Sequence, residues 1–203
     1  EKLMLKALKL QQELGPVFDI TCDCEDGAAA GAEAEHAHMV VEIVNGAENH
    51  FGRVGARIHD ITHPHWQRDL EILVGGAGHR LAFVTLPKVR SVADAATQIN
   101  ELRRVEAACS LARALPVHVL IETHGVWSDS ERLARLLSLI GSQSVGALWD
   151  VHHPYRFMGE KPQTTYDNLK PWLCHTHFKD SLKTADGYRY VLPGFGDVPL
   201  AEM

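Results

Sequence analysis

The chain has 203 residues, 45% hydrophobic and 23% charged, with 26 acidic against 20 basic side chains for a formal net charge of −6. These proportions exclude a disordered, collagenous or coiled-coil chain, and the acidic balance argues against a nucleic-acid footprint. No apolar run approaches the ~18 residues of a membrane span, so no membrane partner is expected.

In chain order, EKLMLKALKL interleaves lysines with leucines and has no small-residue cleavage site, so it reads as a terminal helix over 1–14 rather than a signal peptide. Short apolar runs rich in β-branched residues then recur at Val17–Asp23, Arg53–Ile58, Leu81–Leu86, Val117–Glu122, Val145–Asp150 and Leu173–Phe178. A doubtful seventh run is Tyr188–Leu192. Between them, Ile99, Leu102, Cys109 and Ala112 are spaced for one face of a helix within Ser91–Ala114. Ser128 is expected to open another helix, with Glu131 completing a capping box, Leu133, Leu136, Leu137 and Ile140 as its stripe, and Gly141 as its stop. Gly75-Gly76-Ala77-Gly78 reads as a turn. Strand–helix alternation at this spacing predicts an α/β fold with a parallel sheet. No GxGxxG or P-loop motif follows a strand, so a nucleotide site is not expected.

Cys22, Cys24, Cys109 and Cys174 match no disulfide framework and no zinc pattern. Cys22 and Cys24 are expected to pack in the core, and a reducing, cytoplasmic setting is expected. Lys88 reads as a solvated strand end, and His63 and His65 as surface histidines before a helix.

The chemistry gathers at the strand ends. Glu25, Arg57, Glu122, Asp150 and His177 each close an apolar run, as active-site residues do in a parallel barrel. Buried without partners, each would cost several kcal/mol, so they should share a metal, a substrate or one another. Two carboxylates and an imidazole suit Mg²⁺ or Mn²⁺ better than structural zinc. Trp149, on the opposite face from Asp150, should pack under a helix and fix the aspartate's direction.

Two family resemblances lie on these residues. FDITCDCEDGA (Phe18–Ala28), GRVGARIHD (Gly52–Asp60), LAFVTLPKV (Leu81–Val89) and PVHVLIETHG (Pro116–Gly125) resemble the HpcH/HpaI aldolase and citrate lyase β-subunit-like family. That resemblance implies a (β/α)8 TIM barrel that cleaves or forms C–C bonds in keto-acid, hydroxy-acid or acyl-CoA substrates with Mg²⁺. It makes Glu122 a metal ligand and Arg57 the grip on a substrate carboxylate or carbonyl, with Glu25 and Asp26 beside the site.

VGALWDVHHPYR (Val145–Arg156), HTHFKD (His175–Asp180) and GFGDVPL (Gly194–Leu200) resemble instead the xylose isomerase-like sugar phosphate isomerases and epimerases. This second resemblance implies Asp150 and His177 as metal ligands beside Glu122, with His153 and Lys179 near the substrate. The chain therefore reads as one barrel-type domain over 1–203, a mosaic of a lyase-like part (1–125) and a sugar-isomerase-like part (126–203). By family correspondence its six strands are the second to the seventh, leaving an incomplete barrel with two open edges and an expected homo-oligomer. Three functions follow: a metal-dependent lyase acting on a small molecule, favoured; a sugar isomerase or epimerase; or a catalytically inactive chimeric scaffold.

Overall fold

A computed structural model describes residues 2–26, 30–111, 115 and 118–202. Gly27 and Ala28 of the lyase-like stretch, Ala112 and Ala114 of the expected fourth helix, and Pro116 and Val117 before the fourth strand lie outside the described residues. The chain divides into two compact units, 1–116 and 117–203. The architecture is α/β of the TIM-barrel type, with six parallel strands among the described residues in two three-stranded sheets.

Unit 1 runs α1 (Lys2–Leu14), β1 (Ile20–Asp23), α2 (Glu33–Asn45), β2 (Val54–Arg57), α3 (Trp66–Ala77), β3 (Val84–Thr85) and α4 (Val92–Ala108). Its strands lie in the order β1-β2-β3. Alternation sends Cys22, Cys24, Val54, Ala56 and Ile58 into a core with no exposed surface, as the two cysteines were expected to be, while Asp23 and Arg57 face the other way. β1 and β2 pair Asp23 with Arg57, so the register itself brings their side chains together. Gly55 is required because a Cβ there would lie 2.4 Å from the Phe83 ring.

The Gly75–Gly78 stretch is no turn. Gly75 to Ala77 are the last residues of α3. A Cβ at Gly76 would stand 2.8 Å from Val41 Cγ1, so the glycine lets α3 approach α2 closely, and that packing outweighs its poor helix propensity. Arg80 then donates to Asn45 O at 2.7 Å and Asn49 O at 2.8 Å, closing the carboxyl end of α2 with a cation. Ser91 caps α4 by accepting from Asp94 N at 3.0 Å.

Unit 2 runs β4 (Val119–Glu122), a 3₁₀ turn, α5 (Ser130–Ile140), β5 (Val145–Asp150), a π-helical turn at Pro154–Met158, α6 (Pro162–Leu169), β6 (Leu173–His177), and the antiparallel hairpin β7 (Asp180–Thr184) and β8 (Gly187–Val191). The sheet order is β4-β5-β6. Leu133, Leu137, Ala147 and Leu169 form its core, flanked by Ile121, Trp127 and Trp172.

The cap of α5 is Asp129, not Ser128: its carboxylate accepts from Arg132 N at 2.9 Å, and Ser128 is buried one residue earlier. A carboxylate suits the positive end of the helix dipole better than a hydroxyl. Gly141 ends the helix at φ 61°, as read. The doubtful seventh run is β8, paired with β7.

Candidate metal centre

The carboxyl ends of β4, β5 and β6 build one cluster in unit 2. Strand pairing sets Asp150 opposite His177, and Thr123 N donates to Leu148 O at 3.0 Å just past β4. A bulge makes that register possible. Between Ala147↔Leu173 and Leu148↔His175, β6 carries one extra residue, Cys174. Gly146 accommodates it, since a Cβ there would fall 2.4 Å from Cys174 Sγ and 2.7 Å from Trp172 O.

Glu122, Asp150 and His177 each offer a ligand atom within 4.8 Å of the others. Asp150 is completely buried. Its Oδ1 accepts from His152 N at 3.0 Å, and its Oδ2 meets the Lys179 ammonium and lies 3.7 Å from His153 Nε2. Glu122 Oε1 lies 3.2 Å from His177 Nδ1, and both side chains are partly open to solvent. Trp149 is buried as expected.

Electrostatics follow from this packing. The His177 contact draws the Glu122 carboxyl below its ordinary range, against burial, with the charges of His177, Lys179 and His124 adding to it. Burial pushes the His153 imidazole down; Asp150 opposes this, and His124 and Lys179 reinforce it. Burial likewise lowers His152. The ionised Glu122 carboxylate offers its lone pairs to a cation, and His152 and His153 resist protonation beside the cluster. Two carboxylates and one imidazole, of which Glu122 and His177 are partly open to solvent, fit a divalent cation of the Mg²⁺ or Mn²⁺ kind.

The remaining predicted residues, Arg57 and Glu25, lie in unit 1. Arg57 forks onto Asp23, Nε to Oδ1 at 2.8 Å and Nη2 to Oδ2 at 2.7 Å. It also reaches Glu25 at 3.2 Å and Asp26 at 3.1 Å. The Asp23 hydrogen bonds, followed by the neighbouring carboxylates, raise its already high pKa further. Lys88 is exposed, as a solvated residue was expected to be, and its Nζ also pairs with the nearly buried Glu25 at 2.9 Å. β3 stops at Thr85, and Lys88 adopts φ 51°, which aims it differently from a continued strand.

Other working residues were not anticipated. Thr123 is fully buried and links β4 to Asp150. Arg156 donates from Nε to Ser181 Oγ at 2.8 Å and from Nη2 to Ser181 O at 2.6 Å, and pairs with Asp197, tying the π-helical turn to the hairpin. A threonine directly after a strand-end glutamate was the available signal for the first; nothing local in the sequence marks the second.

Relatives bear on both parts of the chain. An L-malyl-CoA/β-methylmalyl-CoA lyase of Cereibacter sphaeroides (strain ATCC 17029 / ATH 2.4.9) is 29% identical over 130 residues, 63% of this chain and 40% of that protein. The enzyme of that name from strain ATCC 17025 is 26% identical over 128 residues. The crystal structure of a citrate lyase from Burkholderia xenovorans LB400 superposes with a TM-score of 0.61 at 42% identity, covering 81% of this chain and 50% of that one. The chain thus spans 40% of the length of these curated relatives. Both resemblances are therefore supported, one to lyases and one to the isomerase-like barrels. No helix among the described residues is long and apolar enough to cross a membrane. The profile of the xylose isomerase-like TIM barrel family matches residues 74–203, well over half of the sequence and all three strands that carry the cluster, and the chain belongs to that family.

Proposed function

We propose that this chain carries divalent-metal-dependent carbon–carbon lyase chemistry on a hydroxy-acid, keto-acid or acyl-CoA substrate. The observation that carries the reading is the convergence of Glu122, Asp150 and His177 on one point, in a chain 42% identical to a solved citrate lyase. Glu122, Asp150 and His177 would hold Mg²⁺ or Mn²⁺, and the ion supplies Lewis-acid stabilisation of negative charge on a substrate oxygen. His153, buried and resistant to protonation, is available as a hydrogen-bond or proton acceptor beside the ligands. Lys179 neutralises the Asp150 carboxylate and can donate to a substrate oxygen. In unit 1, Arg57 is the group proposed to orient a carboxylate, an exchange in which substrate replaces one of its acidic partners; Glu25 balances its charge.

The test pairs binding with turnover. Mg²⁺ or Mn²⁺ at ~100 times its dissociation constant should stabilise the folded chain by about 2.7 kcal/mol. Glu122→Gln should remove most of that shift. Malyl-CoA cleavage that requires the metal and disappears in Glu122→Gln supports the lyase; metal binding without cleavage of malyl-CoA, β-methylmalyl-CoA or citrate counts against it.

A second reading, a sugar isomerase or epimerase, is favoured by the family match and by the ligand set on β4, β5 and β6. Its signature is solvent deuterium entering a ketose with no bond cleavage. A cooperative melt that responds to no metal would leave the inactive scaffold. Each three-stranded sheet ends in edge strands, so a homo-oligomer is also proposed, and light scattering tests it.

A further inference from the structure

Unit 1 contains a second cluster that the metal centre does not use. Asp69 lies on α3 beside Leu70, and it is completely buried. Such a carboxylate needs compensation, and one residue supplies it twice: Oδ2 accepts from His59 N at 2.9 Å and lies 2.6 Å from His59 Nδ1. Asp69 Oδ1 is buried without a hydrogen-bond partner. A ring proton donated to this carboxylate sits on Nδ1, and in the neutral ring that leaves Nε2 as the lone-pair nitrogen. His63 stacks on the same ring with centroids 3.9 Å apart and planes 13° from parallel.

Both rings line a cavity of about 240 Å³, shared with Glu25, Asp26, Asp60 and Lys88. Lys88 carries the positive φ described above, a conformation rare in a non-glycine residue and found often at ligand-contacting positions. His59, backed by the buried Asp69, and the positive-φ Lys88 thus meet at one cavity wall.

We propose that His59 is the proton-transfer group of this cavity and that Asp69 is the residue that positions it. The substrate's identity rests on the lyase reading; the proton site rests on the dyad's geometry alone. In the cleavage direction, Nε2 of neutral His59 takes the proton from the substrate's β-hydroxyl. The O–H electron pair becomes the new carbonyl bond, the Cα–Cβ bond breaks, and its pair passes to the enolate of the acyl fragment. The imidazolium, stabilised by Asp69, returns that proton to the enolate carbon and is neutral again. Lys88 stands on the same wall as a cation for the fragment's carboxylate.

The experiment combines three readouts. Diethyl pyrocarbonate is reacted with the folded protein and the modified histidines are mapped by peptide mass spectrometry, in the parent and in Asp69→Asn. Ring ¹⁵N spectra report the His59 tautomer in the same two proteins. Malyl-CoA cleavage is compared in the parent and His59→Asn, whose amide nitrogen can replace Nδ1 against Asp69 while Nε2 is lost. We expect His59 to be carbethoxylated in the folded parent and about tenfold more slowly in Asp69→Asn. The Nδ1-protonated tautomer should be present only in the parent. Cleavage should fall by ~10²–10⁴-fold in His59→Asn, with the metal-induced stabilisation retained. Cleavage unaffected by His59→Asn would overturn the inference and leave the lyase reading standing. A reactive, Nδ1-protonated His59 in a chain that cleaves nothing would sustain the proton site and overturn the lyase reading. A His59 that stays unmodified in the folded protein overturns the inference whichever way cleavage falls.

Discussion

Thr123 and Asp150 exchange two hydrogen bonds: Asp150 N donates to Thr123 Oγ1 at 2.9 Å, and that hydroxyl donates back to Asp150 O at 3.0 Å. Thr123 follows the proposed ligand Glu122 directly, so one buried hydroxyl fixes the spacing between the ends of β4 and β5. Replacing it with valine keeps the shape but leaves a buried N–H and C=O unsatisfied. Thr123→Val should therefore cost about 1–3 kcal/mol and weaken divalent-metal binding by roughly 10–100-fold. Titration calorimetry with Mn²⁺ and a denaturant melt check this; metal affinity equal to the parent's would show that the hydroxyl does not set the site.

Asp180 is expected to contribute to the acid stability of unit 2. It is buried, which raises its pKa, but backbone N–H groups of Gly196, Gly194, Val198 and Ser181 together outweigh burial and hold it below the ordinary aspartate range. A depressed folded-state pKa stabilises the fold above the unfolded value of about 3.9, and the contribution disappears as pH falls through the folded value. Asp180→Asn, which turns an amide toward these donors, should cost about 2 kcal/mol near neutrality. The Tm gap between parent and variant should close steadily below about pH 4; a constant gap down to acid unfolding would contradict the assignment.

Thiol reactivity separates the cysteines. Burial pushes Cys22 up to about 11. Burial, then the charges of Asp69, Cys22 and Asp23, push Cys24 up to about 12. Cys174 is exposed and Cys109 partly so. A disulfide reagent at neutral pH should label Cys174 first and Cys109 more slowly, and should reach Cys22 and Cys24 only on unfolding. Rapid labelling of all four in the folded protein would refute the placement of β1 in the core.

The legible and illegible parts of this chain divide by range of interaction. Six parallel strands were readable because β-branched runs such as Val145–Asp150 stand out between helical stretches. Asp150 and His177 were readable as strand ends. The Gly75–Gly76 stretch was not, because its glycines answer to Val41 on another helix rather than to local turn chemistry. Ser128 and Asp129 are both common N-cap residue types, and what separates them is the Asp129 hydrogen bond to Arg132 N together with the burial of Ser128. The His59–Asp69 pair left a faint trace, an aspartate beside Leu70 in an apolar stretch, whose meaning depends on a partner ten positions away. The hairpin's hold on unit 2 runs through Arg156, Ser181 and Asp197, and no pattern within Tyr188–Leu192 records it.

The bulge at Cys174 makes the last prediction, because it decides which β6 residue faces Asp150. Without the extra residue, the pairing Ala147↔Leu173 would continue to Asp150↔Thr176, and His177 would move out of register. Gly146 is what gives the bulge room, so Gly146→Ala should force Cys174 and the Trp172 carbonyl outward at a cost of about 1–3 kcal/mol. Metal binding should suffer beyond that cost, since the His177 imidazole is the proposed ligand most directly displaced. Cys174→Ala removes the sulfur that the new methyl would strike, at 2.4 Å, and should restore part of both losses. A double-mutant cycle read by thermal melts with and without Mn²⁺ measures that coupling. Additive effects of the two substitutions would mean that Gly146 does not accommodate the bulge, and that the position of His177 is set by another part of β6.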